Sequence, residues 1–214
     1  SEALDRLLPE GENIIAVMGG TTMAVVAEQL SNLENKKRHN LFVPARGGIG
    51  EAITVQANSV SARMAAKANG NHRALYVPEQ LSLATYNSLL NEPSIQEVLN
   101  LISEANCVIH SIGRALHMAA RRKMTEKELV MLKQANAVAE SFGYFFNEKG
   151  EVVYKVPRIG IELKDLEKVP IIMAIAGGKS KAKAMRAYMK NAPKQTWLIT
   201  DEAAANEILK GVTL

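Results

Sequence analysis

Short apolar segments alternate with longer segments of helical periodicity along most of the chain. The apolar segments predict six strands, at residues 13–18, 41–44, 74–77, 107–111, 170–176 and 197–200. The periodic segments predict helices at residues 22–30, 54–68, 82–90, 94–104, 125–139, 179–190 and 201–209. Because strands that alternate with helices are typical of βαβ units, we predict an α/β, Rossmann-like fold with a mainly parallel sheet and helices on both faces.

Local signals add detail to this pattern. Thr125 and Glu128 have the spacing of a capping box, and Asp201 can cap the last helix. Residues 142–146 and 151–154 flank Asn147-Glu148-Lys149-Gly150, which predicts a small β-hairpin. Residues 1–8 are amphipathic and acidic, and we interpret them as the end of a longer element rather than as a signal peptide.

Length and composition indicate a globular protein. The 214 residues, 47% apolar and 22% charged, are enough for one domain with a large core, which we place at 1–214. No apolar run approaches the roughly 18 residues of a membrane span. The single cysteine, Cys107, excludes an internal disulfide and lies in an apolar run. We therefore expect a buried thiol, a cytoplasmic location and no membrane partner.

The net charge of +4 comes partly from basic clusters at residues 36–38, 121–123 and 179–183. Such clusters could attract nucleic acid or small anions, or could be solvated surface. Aromatic residues make up only 5% of the chain and do not interleave with the clusters, which argues against a base-stacking surface. No nucleic-acid recognition motif is present, so direct binding of nucleic acid is the last of our alternatives.

Two glycine pairs follow predicted strands, at the edge where open α/β sheets bind ligands. Gly19-Gly20-Thr21-Thr22 follows the first strand, and Gly177-Gly178-Lys179-Ser180-Lys181 follows the fifth. Glycine lets the backbone approach an anion, and a helix start offers free N–H groups, so each loop is a candidate phosphate site. The alternative for each is a tight turn without a ligand. Neither loop matches GxxxxGK[ST] or GxGxxG, which argues against a dinucleotide site.

Other polar residues are candidates with equally plain alternatives. Arg46, in the glycine-rich loop 44–50, could bind a phosphate or a sugar oxygen, or be solvated on a mobile loop. Gln56 could hydrogen-bond a polyol or cap the next helix, and Glu140 could accept from a hydroxyl or be a surface acid. The four histidines have no metal-ligand spacing, so we expect no metal and no cofactor.

Three segments in this order resemble one family over essentially the whole chain: GGTT, PARGGIGEAITVQANSVSARMA and AIAGGKSKAKAM. They are similar to the effector-binding domain of SorC-type, sugar-responsive bacterial transcription regulators. The resemblance implies a fold similar to glucosamine-6-phosphate deaminase and ribose-5-phosphate isomerase. It also implies the following ligand-binding residues: Gly20, Thr21, Thr22, Met23, Arg46, Gln56, Arg121, Arg122, Glu140, Gly178, Lys179 and Lys181.

The resemblance further implies a sensor of a phosphorylated sugar such as fructose 1,6-bisphosphate, in a repressor of glycolytic genes. Ligand binding would alter contacts in a homo-oligomer, a dimer or tetramer, and lower operator affinity. The family's N-terminal helix-turn-helix module has no counterpart before the first strand, so we expect DNA binding only through a domain absent from this chain.

The fold analogy keeps one alternative open, a sugar-phosphate isomerase or deaminase. Those enzymes need a positioned base near the substrate carbon. The motifs GxDGHxAFNEP and DGADE, which similar enzymes use, do not occur in the sequence. We therefore expect no catalytic residues and no enzymatic activity.

Overall fold

The computed structural model describes residues 1–31, 33, 37–48, 52–78 and 82–210. The strands in this part of the chain are β1 Gly11–Val17, β2 Arg38–Pro44, β3 Asn71–His72, β4 Cys107–Ser111, β5 Gly113–Arg114, β6 Ala137–Ser141, β7 Tyr144–Asn147, β8 Val152–Lys155, β9 Ile171–Ile175 and β10 Thr196–Ile199. The helices are α1 Glu2–Leu7, α2 Thr21–Gln29, α3 Ala57–Lys67, α4 Leu83–Leu90, α5 Pro93–Ser103, α6 Ala115–Arg121, α7 Glu126–Gln134, α8 Leu163–Leu166, α9 Ala182–Met189 and α10 Glu202–Leu209.

The larger sheet of the described residues has six strands in the order β10-β9-β4-β1-β2-β3. β1 pairs in parallel with both β2 and β4, and β2 pairs in parallel with β3. Helices flank this sheet, so the strands are buried and read as continuous apolar runs. Ile15, Ala16 and Val17 are fully buried at the end of β1. The predicted fold class is confirmed.

Two compact units can be distinguished within the chain. Unit 1 comprises Ser1–His110 and Pro157–Met173, and unit 2 comprises Ser111–Val156 and Ala174–Leu214. Each contains residues predicted to bind ligand. No helix among the described residues is both long enough and apolar enough to cross a membrane.

The prediction of a strand at residues 74–77 is wrong. The ladder with β2 covers only Asn71 and His72, and the chain then leaves the sheet. Leu75 shows the reason, because its N–H and C=O both bond the side-chain amide of Asn58, each at 2.9 Å. An asparagine on α3 therefore takes the place of a neighbouring strand for this apolar segment.

The helix predicted at residues 125–139 ends at Gln134, and residues 137–141 form β6 instead. Asn136 has a φ of 51°, the left-handed conformation that commonly ends a helix. Glu140 therefore lies on a strand rather than at a helix end. The capping box of Thr125 and Glu128 is confirmed, as is the Asp201 cap, which accepts from Ala204 N–H at 2.8 Å.

The predicted hairpin is present as β7 and β8, but it is part of a larger sheet. β5, β6, β7 and β8 form an antiparallel sheet in that order. Phe142 and Gly143 both have positive φ, 54° and 83°, as a tight two-residue turn between β6 and β7 requires. The sequence did not predict β6, because the helical pattern of residues 125–139 extends into it. It did not predict β5, because two residues are too few to form a pattern.

Two predicted helices begin with a 3₁₀ turn. Residues 54–68 divide into a turn at Ile53–Val55 and α3, separated by Gln56 in an extended conformation. Residues 179–190 divide into a turn at Lys179–Lys181 and α9. Both divisions fall at residues predicted to bind ligand, so they affect the site directly.

Candidate functional site

In unit 1, the loop after β1 leads into α2 with an uncapped N-terminus. Gly20 is the N-cap residue, with a φ of 122° that favours glycine, and no side chain caps the helix. The first turn carries no acidic side chain. The N-terminus of α2 therefore combines a helix start without a side-chain cap with the positive end of the helix dipole, the features of an anion site.

The chain approaches this loop closely at the start of α3. Gly20 N–H donates to Val55 C=O at 2.8 Å. A Cβ atom at Gly19 would lie 2.5 Å from Val55 O and 2.7 Å from Ala57 N, so only glycine fits. The structure thereby places Gln56, the N-cap residue of α3, beside the predicted anion loop.

The three residues after Gly20 have different exposures. Thr21 is exposed and Thr22 is half-buried, so their hydroxyls can reach a ligand. Met23 is fully buried, which leaves its backbone N–H as the group that can serve an anion. The predicted residues Gly20, Thr21, Thr22 and Met23 thus form one continuous helix start.

Arg46 follows β2, next to the end of β1. Ala45 N–H donates to Val17 C=O at 2.8 Å, which places the ends of the two strands side by side. Arg46 is only 7% exposed, and its backbone pairs with Gly160. On either side of this pair, Gly47 N–H donates a hydrogen bond to Ile159 C=O, and Ile161 N–H donates one to Ala45 C=O. The end of the predicted mobile loop, residues 49 and 50, lies outside the described residues.

In unit 2, Arg122 and Glu140 form a buried ion pair. Their side chains are 6% and 5% exposed, and Arg122 Nη2 lies 2.9 Å from Glu140 Oε1. The same oxygen accepts from Gly143 N–H at 2.8 Å. Glu140 Oε2 accepts no hydrogen bond within the described part of the chain. The pair therefore holds the carboxylate in one orientation and leaves one oxygen for a hydroxyl donor.

Three cations lie near each other in the same unit. Burial lowers the pKa of Lys181, and the positive charges of Arg114 and Arg121 lower it further. Both arginines flank α6, Arg114 as its N-cap residue and Arg121 as its last residue. Three positive charges in this part of unit 2 suit an anionic ligand.

The second glycine loop differs from the predicted anion site. Gly178 N–H donates to Asp201 Oδ2 at 2.5 Å, so a carboxylate of the protein already occupies this amide. Donation from Ala204 and then Gly178 lowers the pKa of Asp201, which keeps it charged. The helix that begins here opens with a 3₁₀ turn, whose aligned dipole is short.

Lys179 and Lys181 have different surroundings. Lys181 is near the arginines of α6, whereas Lys179 lines a surface depression of about 270 Å³ with α10 residues. Glu207 and Lys210 lie in that depression and pair with each other at 2.7 Å. The structure thus separates two lysines that the sequence presents as one cluster.

No three His, Cys, Asp or Glu side chains converge as metal ligands would among the residues that the structure describes. His110 and Cys107 are both fully buried, and burial raises the pKa of the Cys107 thiol to about 12. Two arginines of the basic clusters, Arg38 and Arg122, form internal ion pairs, so those clusters are not continuous surface patches.

Strand β5 brings the segment 111–114 beside Glu140, which the sequence did not predict. In β5, Gly113 pairs with Glu140, and a Cβ atom there would lie 3.6 Å from Glu140 Oε2 and 2.5 Å from Met118 Cγ. The segment 111–114 follows a predicted strand, which was the available signal. Its nearness to Glu140 depends on β6, which the helical pattern had concealed.

A family model described as "Putative sugar-binding domain" matches residues 1–210. The chain therefore belongs to this family, the sugar-binding domains of SorC-type transcription regulators. The resemblance found in the sequence is confirmed.

Among its relatives, the central glycolytic genes regulator of Bacillus subtilis (strain 168) is 50% identical over 200 residues. That match covers 94% of this chain and 58% of the regulator, so the chain spans little more than half the length of its relative. A structure from Enterococcus faecalis, described as a "putative SorC family transcriptional regulator", is 77% identical with a TM-score of 0.92. It covers 97% of this chain, which covers 84% of it.

The full-length sorbitol operon regulator SorC from Klebsiella pneumoniae shares the fold at 18% identity. Its TM-score is 0.85, and the match covers 97% of this chain and 68% of the other. At this identity the likeness concerns the fold alone.

Proposed function

We propose that this chain is the ligand-sensing domain of a bacterial transcriptional repressor of glycolytic genes. It binds fructose 1,6-bisphosphate or a related sugar phosphate and leaves it unchanged. The observation that carries the proposal is the start of α2 in unit 1, which follows paired glycines and has neither a side-chain cap nor an acidic side chain in its first turn. In unit 2, the proposed ligand groups are Lys181, Arg121 and the carboxylate of Glu140, which Arg122 and Gly143 fix in place.

The groups match the chemistry of a phosphorylated sugar. Backbone N–H groups and the Thr21 and Thr22 hydroxyls suit phosphate oxygens, as do guanidinium and ammonium groups. Glu140 Oε2 suits a sugar hydroxyl, because a fixed carboxylate oxygen accepts only from a donor. The resemblance to sensors of fructose 1,6-bisphosphate favours a bisphosphate over a monophosphate.

Binding rather than catalysis follows from the same set of residues. The carboxylate of Glu140 is held in one orientation by Arg122 and Gly143, which suits binding of a sugar hydroxyl. The relatives named above are transcription regulators. We therefore propose an effector without a cofactor, in a cytoplasmic protein whose DNA contacts come from another domain.

The proposed regulation is linkage between ligand and assembly. A ligand that binds one arrangement of a homo-oligomer more tightly shifts the population toward it, by no more than its difference in affinity. In this scheme the ligand-bound arrangement has the lower operator affinity.

Thermal unfolding with a panel of ligands tests the proposal. The panel contains fructose 1,6-bisphosphate, fructose 6-phosphate, glucose 6-phosphate, dihydroxyacetone phosphate and inorganic phosphate. A ligand at a hundred times its Kd adds about 2.7 kcal/mol of stability, which raises Tm measurably. We expect the largest shift from the bisphosphate, and its recovery unchanged by NMR. A panel without any shift would refute the ligand class, and consumption of a sugar phosphate would show an enzyme.

Variants assign the two groups. Thr21→Ala in unit 1 and Lys181→Ala in unit 2 each remove a donor at an accessible position. Each should weaken binding of the bisphosphate about tenfold or more, since hydrogen bonds to charged groups contribute about 1.5–3 kcal/mol. Unchanged affinity in both would contradict the assignment of the groups.

A further inference from the structure

We propose that Asp201 is a positioning residue for Lys181, the lysine of unit 2 that the proposed function assigns to the sugar phosphate. Its carboxylate holds the loop between β9 and α9 in the shape that presents Lys181 to the ligand. The inference rests on the proposed function and deepens it, because Asp201 is the N-cap residue of α10 and lies outside the family's motifs. All the residues concerned belong to unit 2.

The carboxylate of Asp201 joins two segments of backbone. Its Oδ1 accepts from Ala204 N–H at 2.8 Å, which caps α10, and its Oδ2 accepts from Gly178 N–H at 2.5 Å. Donation from Ala204 and then from Gly178 lowers the pKa of Asp201, so the carboxylate stays charged at neutral pH. Because each oxygen has its own partner, one side chain caps the helix and separately anchors the loop.

Gly178, which Asp201 anchors, closes the turn that carries Lys181. It is the N-cap residue of the 3₁₀ turn Lys179–Lys181, and its C=O accepts from Lys181 N–H at 2.9 Å. A Cβ atom at Gly178 would meet nothing within 4 Å among the described residues, so packing does not restrain this glycine. Hydrogen bonds therefore set its conformation, and the bond to Asp201 ties it to another element.

The loop is also shaped to admit the carboxylate. A Cβ atom at Gly177 would lie 2.6 Å from Asp201 Oδ2, so a larger residue there would displace the carboxylate. Ala176 N–H donates to Ile199 C=O at 3.1 Å, which brings the end of β10 beside the start of the loop. The glycine pair thus receives a carboxylate of the protein, and the ligand is left to the lysine that follows.

Positioning matters for Lys181 because its side chain is half-buried. Neighbouring atoms limit the rotamers of such a side chain, so a shift of the loop backbone moves the ammonium group with it. Groups that bind a ligand must be held to within about 0.5 Å of the productive geometry. A change at Asp201 should therefore weaken binding although Asp201 itself need not touch the ligand.

The test compares Asp201→Asn with Glu202→Gln in the intact chain. Asparagine caps a helix as well as aspartate does, but its amide nitrogen is a donor and cannot accept from Gly178 N–H. Glu202→Gln removes the same charge one residue away, at an exposed position in the first turn of α10. Loss of a negative charge near an anion site should by itself tighten binding, so charge and positioning predict opposite signs.

Titration calorimetry measures the Kd of fructose 1,6-bisphosphate, with Tm in the absence of ligand as the control for folding. We expect Asp201→Asn to raise Kd about fivefold or more, and Glu202→Gln to leave it within about twofold of wild type or lower it. Asp201→Ser is the second variant, since serine also caps a helix but has one oxygen for two N–H groups. It should raise Kd as well.

A double-mutant cycle tests whether Asp201 acts through Lys181. In the Lys181→Ala background, Asp201→Asn should change Kd no further, because the group that it positions is already gone. The amide resonance of Gly178 should shift in Asp201→Asn, as loss of its hydrogen bond requires. Additive effects of the two changes on Kd would overturn the inference, and so would an unchanged Gly178 resonance.

The outcomes separate this inference from the proposed function. If the wild type binds and Asp201→Asn matches Glu202→Gln, the inference is overturned and the proposed function stands. The same holds if the wild type binds and Lys181→Ala binds equally well, because there is then no ligand-binding lysine to position. If the wild type binds no sugar phosphate, both are overturned.

Discussion

The buried pair of Arg122 and Glu140 allows a sharp stability prediction. Arg122→Met removes the guanidinium but keeps an apolar side chain of similar length against Phe145, whose ring centroid lies 5.9 Å from Arg122 Cζ. Glu140, 5% exposed, then keeps only the Gly143 N–H as a donor. Loss of one partner from a buried pair costs about 3–5 kcal/mol, because the other charge stays desolvated.

Urea denaturation followed by circular dichroism measures the loss. The matched control is Arg63→Met, which breaks a 3.2 Å pair with Glu28 in which the side chains are 29% and 59% exposed. Exposed pairs contribute about 0–1 kcal/mol, so the control should change the free energy of unfolding little. Equal losses in the two variants would refute the reasoning that burial makes the difference.

A double-mutant cycle completes the prediction. Arg122→Met with Glu140→Met replaces both charges by apolar groups, which can be neutral or stabilising compared with breaking the pair. The double variant should therefore be more stable than Arg122→Met alone, with a coupling energy of about 2 kcal/mol or more. Simple additivity of the two changes would contradict a direct interaction. Because Glu140 is a predicted ligand residue, the double variant should also lose affinity for the sugar phosphate.

Three further predictions concern stability, reactivity and pH. Arg38 is 4% exposed in its side chain and donates to Asp5 Oδ1 at 3.0 Å and to the Leu8 carbonyl at 2.6 Å, so Arg38→Met should release α1. Faster amide hydrogen exchange in α1 is the expected result, and unchanged exchange there would count against it. Burial raises the pKa of the Cys107 thiol to about 12. Iodoacetamide should therefore label Cys107 only as fast as the protein unfolds. Labelling of the folded protein at the rate of a free thiol would contradict the burial of Cys107. The Tyr154 hydroxyl donates to Glu128 at 2.7 Å, which raises the pKa of Tyr154 to about 12. The contribution of this hydrogen bond to stability is therefore complete below pH 10 and is lost as the pH rises through about 12. The difference in absorbance at 295 nm between wild type and Tyr154→Phe reports the titration of Tyr154, and its midpoint should lie near pH 12. In Glu128→Gln the midpoint should be lower. A wild-type midpoint near pH 10 would contradict the hydrogen bond.

Much of the fold could be predicted because its signals are local. The capping box at Thr125 and the cap at Asp201 lie within a few residues of the helix starts that they stabilise. The buried strands of a parallel sheet are apolar runs bounded by polar loops, so five of the six predicted strands stand close to their predicted positions. The prediction of a strand at residues 74–77 is wrong because Asn58, on another element, hydrogen-bonds the backbone N–H and C=O of Leu75.

The candidate site was predictable only in part. A glycine pair between a strand and a helix indicates an anion site from adjacent residues, and the start of α2 has the expected form. The matching pair at Gly178 has the same local pattern, but Asp201, 23 positions later in the sequence, occupies its amide. A local pattern cannot indicate which distant side chain will bind a loop.

The sequence by itself determined the family, the alternation of strands and helices, and the residue types of the candidate site. Only the tertiary structure decided which of those residues act together. It paired Arg122 with Glu140 and placed Lys181, but not Lys179, near the arginines of α6. The physical reason is the separation in sequence between the residues that interact. Helix caps and apolar periodicity act within a few residues, whereas the direction of a side chain at a site depends on strand register and on packing between segments far apart in the chain.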